Sequence, residues 1–284
     1  MPPPATCYRH PDRPTGIRCT RCDRPICPEC MIPASVGFQC PDDVRAGTAG
    51  VRTARPVPRW TAARRRFGPV TATLVAVNVA VFVVTAVSAV SVGNPPLDNW
   101  RSPVFAEFSQ IPVQVLLGED WRLLTGAFLH IGITHLLLNM LSLLVFGPEL
   151  ERRLGWARYL AVYLISALGG AVAIQLFGEP GRAVAGASAA LYGLLGALGV
   201  LMVAARQDLR GLLTLLAINV VISFLPGVSL LGHLGGLVAG VLATSVLVLT
   251  RRRDWGQVAG LVALAAVLLV LALAVPTPVA VLGL

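Results

Sequence analysis

The stretch Ala183–Ala204, AVAGASAALYGLLGALGVLMVA, decides how the rest of the chain is interpreted. It carries no charged residue and is long enough for a helix to span a bilayer. We therefore predict a membrane helix over these residues, with Ser188 five residues inside its outer end. A lone serine in a membrane helix usually has a packing role. A chemical role for Ser188 needs a second polar group at the same depth.

The composition places most of the chain in lipid. The 284 residues are 55% hydrophobic and 13% charged, with a mean hydropathy of +0.73, which excludes a soluble protein. We predict an all-α polytopic membrane protein with a six-helix core and a seventh C-terminal transmembrane helix, preceded by a small zinc-binding domain. The predicted spans, the fifth ending near Pro226-Gly227, are 69–91, 123–146, 157–177, 183–204, 211–225, 228–249 and 256–275.

The net charge of +9 comes from arginine, because the sequence contains no lysine. The arginines concentrate in alternate loops, so the positive-inside rule places the N-terminus in the cytoplasm and the C-terminus outside. Loop charge of this kind faces anionic lipid, and we expect no nucleic-acid partner. The abundance of Ala, Arg, Gly and Val is typical of a protein from a GC-rich bacterial genome. We therefore expect the chain to lie in the plasma membrane. The arginines that occupy these alternate loops are Arg64–Arg66, Arg152, Arg153, Arg158, Arg206, Arg210 and Arg251–Arg253.

All six cysteines lie within the first forty residues, five of them in C-x2-C or C-x2-H pairs and Cys40 in the sequence Cys40-Pro-Asp-Asp43, and these spacings suit tetrahedral zinc. Unligated thiols and a disulfide knot are the alternatives. We favour interleaved pairing, in which the first and third ligand pairs bind one zinc ion and the second and fourth pairs bind the other. Asp42 is the alternative to Asp43 as the last ligand. The two predicted zinc sites are Cys7, His10, Cys27 and Cys30, and Cys19, Cys22, Cys40 and Asp43. This pattern resembles a B-box-type zinc finger. Four ligand pairs make two sites, so we expect two structural Zn²⁺ ions, and recruitment of a cytoplasmic protein partner is one candidate role of the module.

The chain divides into four predicted segments. Residues 1–45 form the cytoplasmic zinc finger, and residues 46–67 form a flexible basic linker ending in Arg64-Arg65-Arg66. Residues 68–250 form the six-helix core, and residues 251–284 carry the additional transmembrane helix. The polar N-terminus shows no signal-peptide pattern, so we expect the first ~65 residues to stay in the compartment where they are made.

The long segment 92–122 follows the first span on the outer side. The apolar spacing of Phe105 to Leu117 suits a helix that lies in the membrane interface. We expect Trp121 and Arg122 to anchor the end of this helix at the lipid headgroups.

A histidine in another span matches the depth of Ser188. His233 lies five residues inside the sixth span, so both side chains are expected about 7–8 Å below the outer boundary. They form a candidate nucleophile and base. Small residues allow the two helices to approach closely; they are Gly232, Gly236 and Gly240 in the sixth span and Gly186, Gly193, Gly196 and Gly199 in the fourth.

The second span contributes His130, His135 and Asn139 within FLHIGITHLLLNM. A helix start at Gly132 would place His135 in the first turn and Asn139 one turn deeper on the same face. With the backbone N–H of Ser188, these side chains are candidate donors to an oxyanion. No HExxH motif occurs, which argues against a zinc protease.

From Asn99 to Leu249 the sequence resembles the rhomboid family of intramembrane serine proteases. Five motifs carry the resemblance: Gly186-x-Ser188-x, His233-x2-Gly236-x3-Gly240, His135-x3-Asn139, Trp121-Arg122 and Glu151-x3-Gly155. The resemblance implies a Ser188/His233 dyad, oxyanion donors at His135, Asn139 and the Ser188 amide, Tyr192 stacked beneath His233, and a structural His130 that hydrogen-bonds the loop. It also implies single-span substrates cleaved near the outer membrane face and no cofactor for catalysis.

One residue departs from the family pattern. Ala189 follows the nucleophile where the family usually has glycine, and its methyl group could narrow the oxyanion pocket. Alanine is the mildest change available and carries no helical penalty, so we expect activity to survive. The alternative function is a catalytically weak or inactive rhomboid-fold protein that binds membrane clients, with the zinc finger as its partner-recruiting module. A transporter fits poorly, since the polar residues cluster near one face and no inverted repeat is apparent.

Overall fold

The computed structural model describes residues 4–49, 67–224 and 227–274. The chain separates into two compact units, Met1–Pro58 and Arg59–Leu284, and each is considered alone. Most of the predicted linker, including Arg64-Arg65-Arg66, lies outside the described residues. The predicted break at Pro226 lies outside them too.

The N-terminal unit has little regular structure. It contains a 3-10 turn at Pro28–Cys30, strand β1 (Ile32–Pro33) paired antiparallel with β2 (Phe38–Gln39), and helix α1 (Pro41–Thr48). Its buried core consists of Ile26 and five of the cysteines. A core this small rarely holds a fold without a disulfide or a metal ion.

The second unit is helical. Among the described residues, five helices are long and apolar enough to cross a membrane, namely Pro69–Ser91, Gly132–Leu154, Trp156–Phe177, Leu230–Leu249 and the helix that begins at Asp254, and two shorter helices, Ser188–Ala204 and Arg210–Ile222, are also apolar. The predicted all-α polytopic fold is confirmed. Its helices are α2 (Pro69–Ser91), α3 (Pro103–Phe108), α4 (Pro112–Leu116), α5 (Arg122–Thr125), α6 (Gly132–Leu154), α7 (Trp156–Phe177), α8 (Ser188–Ala204), α9 (Arg210–Ile222), α10 (Leu230–Leu249) and α11 (Asp254–Ala274), with 3-10 turns at Asn99–Arg101 and Gly126–Phe128.

The fourth predicted span begins later than its hydropathy indicates. Helix α8 starts at Ser188 itself, so the prediction of a helix from Ala183 was wrong. Val184 instead exchanges two backbone hydrogen bonds with Gln110, and the Gly186 N–H donates to the Gly126 carbonyl at 2.9 Å. These bonds satisfy the backbone outside a helix. Ser188 is therefore the first residue of its helix.

Other span boundaries also differ from the prediction. Helix α6 begins at Gly132, as the helix-start signal predicted, rather than at residue 123, and it continues to Leu154. The Asn99 side chain fixes this start, because its Oδ1 accepts from the Gly132 N–H at 2.9 Å and its Nδ2 donates to the His130 carbonyl at 2.7 Å. Helix α9 ends at Ile222, and α10 begins at Leu230 after a Ser229 N-cap.

The loop between α2 and α6 is folded rather than laid along the interface. Instead of one helix from Phe105 to Leu117, it forms the short helices α3 and α4. Arg122 does not extend from the surface as a headgroup anchor would; it is 4% exposed and donates to the carbonyls of Ala106 and Ser109 at 2.7 and 2.8 Å. Trp121 remains half-exposed. A buried guanidinium needs such partners, so Arg122 holds the loop together.

Helices α7, α8 and α10 form the packed centre of the unit, and glycines set their separation. A Cβ on Gly236 of α10 would overlap the Ala189 carbonyl of α8, and one on Gly240 would overlap the Gly193 backbone. A Cβ on Gly170 of α7 would lie 2.7 Å from the Gly232 carbonyl. Only glycine permits these backbones to touch.

Glu151 joins the end of α6 to the start of α2. Its carboxylate accepts hydrogen bonds from the backbone N–H groups of Val70 and Thr71, at 2.9 and 2.8 Å, and from the Thr71 hydroxyl at 2.8 Å. The first N–H groups of a helix have no partner within the helix, and a carboxylate there also faces the positive end of the helix dipole. Glu151 thus satisfies the N-terminus of α2 while 5% exposed.

The first prediction concerns the contact between α8 and α10. Gly236→Ala should lower the thermal unfolding temperature in detergent, because the new methyl group overlaps backbone; overpacking typically costs about 1–3 kcal/mol. Gly211→Ala in α9 is the matched control, since no atom lies within 4 Å of its added Cβ. Equal unfolding temperatures for Gly236→Ala and the parent would contradict the close approach.

The second prediction concerns Glu151. Glu151→Ala should destabilise the protein by about 2–4 kcal/mol, because several buried donors lose a charged acceptor. The partly exposed Glu149 on the same helix forms ion pairs with Arg152 and Arg153, so Glu149→Ala should change stability by less than about 0.5 kcal/mol. Thermal unfolding of both variants measures the difference. Similar losses in the two would show that the Glu151 bonds contribute little.

Candidate active site and metal centres

Ser188 occupies the N-terminus of α8. Its backbone N–H lies among the first N–H groups of the helix, which have no intrahelical partner. The side chain is half-buried, and among the described residues its Oγ makes no hydrogen bond. Gly186, two residues earlier, has a φ of +137°, a value that side chains rarely allow. The turn thus presents both the hydroxyl and an unpaired N–H.

His233 lies in the first turn of α10, where it is 6% exposed. Its imidazole stacks on the Tyr192 ring, with centroids 4.1 Å apart and planes 14° from parallel. Tyr192 lies one helical turn after Ser188 on α8, and residues four apart share a helix face. The structure therefore brings His233 to the face of α8 that carries Ser188, although no hydrogen bond joins the two side chains within the described residues.

Ser223, which the sequence analysis missed, contacts both rings of the stack. It directly follows α9 and is 2% exposed. Its Oγ lies 2.7 Å from His233 Nδ1 and 2.7 Å from the Tyr192 hydroxyl, and it donates to the Asn219 carbonyl at 2.8 Å. Asn219 and Ser223 are spaced by one turn in an otherwise apolar span, a signal that could have singled them out.

His135 lies beside the turn that precedes Ser188. A Cβ on Gly186 would lie 2.8 Å from His135 Nε2 and 3.7 Å from Ser188 Oγ. The Ile131 N–H points to His135 Nδ1 at 3.4 Å, an arrangement that leaves Nε2 to carry the ring proton. Asn139 lies one turn deeper, 5% exposed, and donates one N–H to the His135 carbonyl at 2.9 Å. Its amide has a second N–H for another acceptor.

His130 is fully buried, and its ring lies near the Phe128 backbone of the loop, although neither ring nitrogen makes a hydrogen bond of good geometry within the described part of the chain. The hydrogen bond to the loop that the resemblance implies stays a prediction. The His130 ring packs edge-on against His135 with centroids 5.1 Å apart. The backbone carbonyl of His130 also contacts the loop, where it accepts from Asn99.

Ala189 turns its methyl group toward α7. The methyl occupies the space that a Cβ on Gly170 would need, so the glycine on α7 accommodates the extra carbon. This placement differs from the suggestion that Ala189 could narrow the oxyanion pocket, because the methyl packs between helices.

The N-terminal unit contains two clusters of four metal-ligating side chains, and they have the interleaved grouping. Within each cluster the candidate ligand atoms all lie within 4.8 Å of one another, and either cluster could hold a metal ion. The clusters are Cys7, His10, Cys27 and Cys30, and Cys19, Cys22, Cys40 and Asp43.

The two neighbouring aspartates differ in role. Asp43 Oδ2 lies 3.1 Å from Cys19 Sγ and 3.3 Å from Cys40 Sγ, within the second cluster. Asp42 instead accepts a hydrogen bond from the Tyr8 hydroxyl at 2.9 Å, which lowers the pKa of Asp42. Asp43 is therefore the carboxylate placed to bind a metal.

The neighbouring thiols oppose the ionisation of Cys30. Burial, followed by hydrogen bonding to the thiols of Cys7 and Cys27, raises the pKa of Cys30 to about 11. Three cysteines can share one site as thiolates only when a cation compensates their charge. The donor sets, each with three cysteines and one histidine or aspartate, therefore fit divalent metal ions.

Known proteins similar to this chain share one family. A family model described as "Rhomboid domain" matches residues 117–251. "Putative rhomboid protease YdcA" of Bacillus subtilis (strain 168) is 39% identical over 145 residues, 49% of this chain and 72% of that protein. "RHOMBOID-like protein 6, mitochondrial" of Arabidopsis thaliana is 37% identical over 146 residues, covering 49% of this chain and 47% of that protein.

Another bacterial relative is larger. "Rhomboid protease GluP" of Bacillus subtilis (strain 168) is 36% identical over 146 residues, 49% of this chain and 28% of that protein. The chain thus spans about half or less of the length of several curated relatives it matches.

The third prediction concerns the metal clusters. The purified full chain should contain two divalent metal ions, measured as the molar ratio of metal to protein. Asp43→Ala should lose occupancy of one site, because it removes a ligand, whereas Asp42→Ala, which alters the neighbouring carboxylate, should keep both. A ratio that falls in Asp42→Ala and not in Asp43→Ala would overturn the ligand assignment.

Proposed function

The chain belongs to the rhomboid family, and from this premise we propose that it is an intramembrane serine endopeptidase that acts through a Ser188/His233 dyad. Family membership and similarity to bacterial proteins named rhomboid proteases support an intramembrane protease function. The serine mechanism and the residues that perform it are the proposal.

The stacking of Tyr192 on His233 is the observation that carries this proposal. Tyr192 and Ser188 lie one turn apart on α8, so the stack fixes the imidazole of α10 against the helix face that bears the hydroxyl. A base must come within hydrogen-bond reach of the proton it removes, and such bonds are often long before substrate binds.

The proposed reaction begins when Ser188 Oγ attacks the scissile carbonyl carbon and its proton passes to His233 Nε2. His233 then gives that proton to the leaving amine nitrogen, which leaves an acyl-enzyme. Water attacks the ester with His233 again as base, and Ser188 recovers its proton as the new carboxyl terminus departs.

The groups around Ser188 suit the negative oxygen formed in these steps. The unpaired N–H of Ser188 lies at the positive end of the α8 dipole. His135 contributes its Nε2–H on the other side of Gly186, and Asn139 has one N–H remaining. We assign these groups the role of oxyanion donors. Gly186 leaves the space between them open for the substrate carbonyl.

We propose single-span membrane proteins as substrates, cleaved near the outer face of the plasma membrane. The alternation of arginine-rich loops supports a cytoplasmic N-terminus and an external C-terminus. With that orientation, the N-termini of α8 and α10 face outward, and both dyad residues lie in the first turn of their helices.

We propose that Zn²⁺ fills the two N-terminal clusters and stabilises that unit. Zinc–sulfur bonds of about 2.3 Å place the sulfurs of a tetrahedral site about 3.8 Å apart, and the Cys22 and Cys40 sulfurs are separated by 3.7 Å. The ion would supply the crosslink that the small core lacks. We further propose that this unit recruits a cytoplasmic protein partner.

The fourth prediction tests the dyad. The full chain, reconstituted in liposomes, should cleave a model single-span substrate, and Ser188→Ala and His233→Ala should each reduce the rate by at least about a thousandfold. Ser142→Ala is the matched control, because Ser142 is partly exposed on α6 and its hydroxyl bonds the Leu138 carbonyl of its own helix. A metal chelator should leave cleavage unchanged.

The outcomes separate the competing functions. Cleavage that survives Ser188→Ala would show that the site assignment is wrong. A folded parent that cleaves none of several substrates would favour the client-binding function over the protease.

A further inference from the structure

We propose that Ser223 is a positioning residue that holds the His233 imidazole in the tautomer with its proton on Nδ1. The consequence for catalysis rests on the proposed dyad, since this tautomer leaves a lone pair on Nε2 to accept the Ser188 proton. The proposal assigns a role to the end of α9, which none of the recognised motifs includes.

A count of donors and acceptors carries the assignment. A serine hydroxyl has one proton to donate and two lone pairs to accept. Ser223 Oγ is within 2.8 Å of three partners: the Asn219 carbonyl, the Tyr192 hydroxyl and His233 Nδ1. The carbonyl can only accept, so it takes the single serine proton.

The remaining two bonds then have a fixed direction. The Tyr192 hydroxyl and His233 Nδ1 must both donate to Ser223 Oγ, because the serine has no second proton. Nδ1 therefore carries the ring proton when the imidazole is neutral, and Nε2 carries the lone pair. The Asn219 carbonyl thus determines the tautomer of His233, because it accepts the only proton of the Ser223 hydroxyl.

Burial makes this arrangement selective. Ser223 and His233 are 2% and 6% exposed, so solvent has little access to replace the bond. In the other tautomer, an unprotonated Nδ1 would face the Ser223 oxygen, whose proton is donated to the Asn219 carbonyl. Neither atom could then donate to the other, and an unsatisfied buried polar group is costly. The Tyr192 stack fixes the plane of the ring, and the Ser223 bond fixes its rotation within that plane.

The position of Ser223 also links α9 to the active site. No residue of α9 is buried, whereas Ser223, immediately after it, is almost completely so. The bonds from Tyr192 and His233 therefore join this segment to both α8 and α10. A serine that served packing alone would not need to satisfy polar groups from both helices.

The fifth prediction compares Ser223→Ala with the conservative Ser223→Thr in the liposome assay. Ser223→Ala should lower kcat about 10- to 100-fold with KM within about twofold, since a buried hydrogen bond to the base is lost and binding is untouched. Ser223→Thr keeps the hydroxyl and should recover most of that loss. Ser142→Ala again serves as the control with parental kcat.

The ring protonation itself provides a readout independent of cleavage. In protein labelled with ¹⁵N-histidine, the His233 signals, identified by their loss in His233→Ala, should show a protonated Nδ1 and an unprotonated Nε2 at neutral pH. Ser223→Ala should raise the fraction with protonated Nε2. A merely structural serine would not move this ratio.

The outcomes distinguish this inference from the proposed function. Protonated Nε2 in the parent, or unchanged kcat and tautomer in Ser223→Ala, would overturn the role of Ser223 even if the parent cleaves substrate. A parent that cleaves nothing but has protonated Nδ1 would remove the proposed protease function and leave the tautomer assignment standing. If Ser223→Ala does not fold, the parent spectrum and Ser223→Thr still decide.

Discussion

The backbone contact between α8 and α10 is the constraint on which the active-site geometry depends. Gly236 lies against the Ala189 carbonyl, and this contact fixes the register and distance of the two helices at one point. His233 is one turn earlier on α10, and Tyr192 is one turn later on α8. In lipid no hydrophobic force drives helices together, so close packing of small residues has to hold them. The stack of Tyr192 on His233 follows from this contact.

The loop between α2 and α6 determines where α8 begins, which the contact between α8 and α10 does not. Its buried Arg122 closes the α3–α5 region on itself, and its Gln110 pairs with Val184 in extended conformation. Because that pairing prevents the helix from starting earlier, α8 begins at Ser188, whose N–H has no partner within the helix. The folded loop thus determines where this apolar helix begins. Ser188, the proposed nucleophile, lies at the junction between the loop and the helix.

Sequence patterns predicted what depends on local periodicity and missed what depends on distant partners. The lengths of apolar runs located the membrane helices, and cysteine spacing gave the grouping of the metal ligands, because both are properties of neighbouring residues. Hydropathy could not separate the extended segment before Ser188 from the helix after it, since both are apolar. Their difference lies in bonds to Gln110 and Gly126. Ser223 was missed for the same reason: its partners come from other helices.

The choice of a serine as the partner of His233 is consistent with the membrane environment. Soluble serine hydrolases commonly orient their histidine with a carboxylate, but an ionised carboxylate is costly to bury in lipid. A serine hydroxyl is neutral, and by itself it would permit either histidine tautomer, because it can both donate and accept. The Asn219 carbonyl removes that ambiguity by taking the hydroxyl proton. A backbone carbonyl at a helix end and a serine one turn later can therefore impose on the imidazole the same proton position as an acidic residue, without placing a charge in the bilayer.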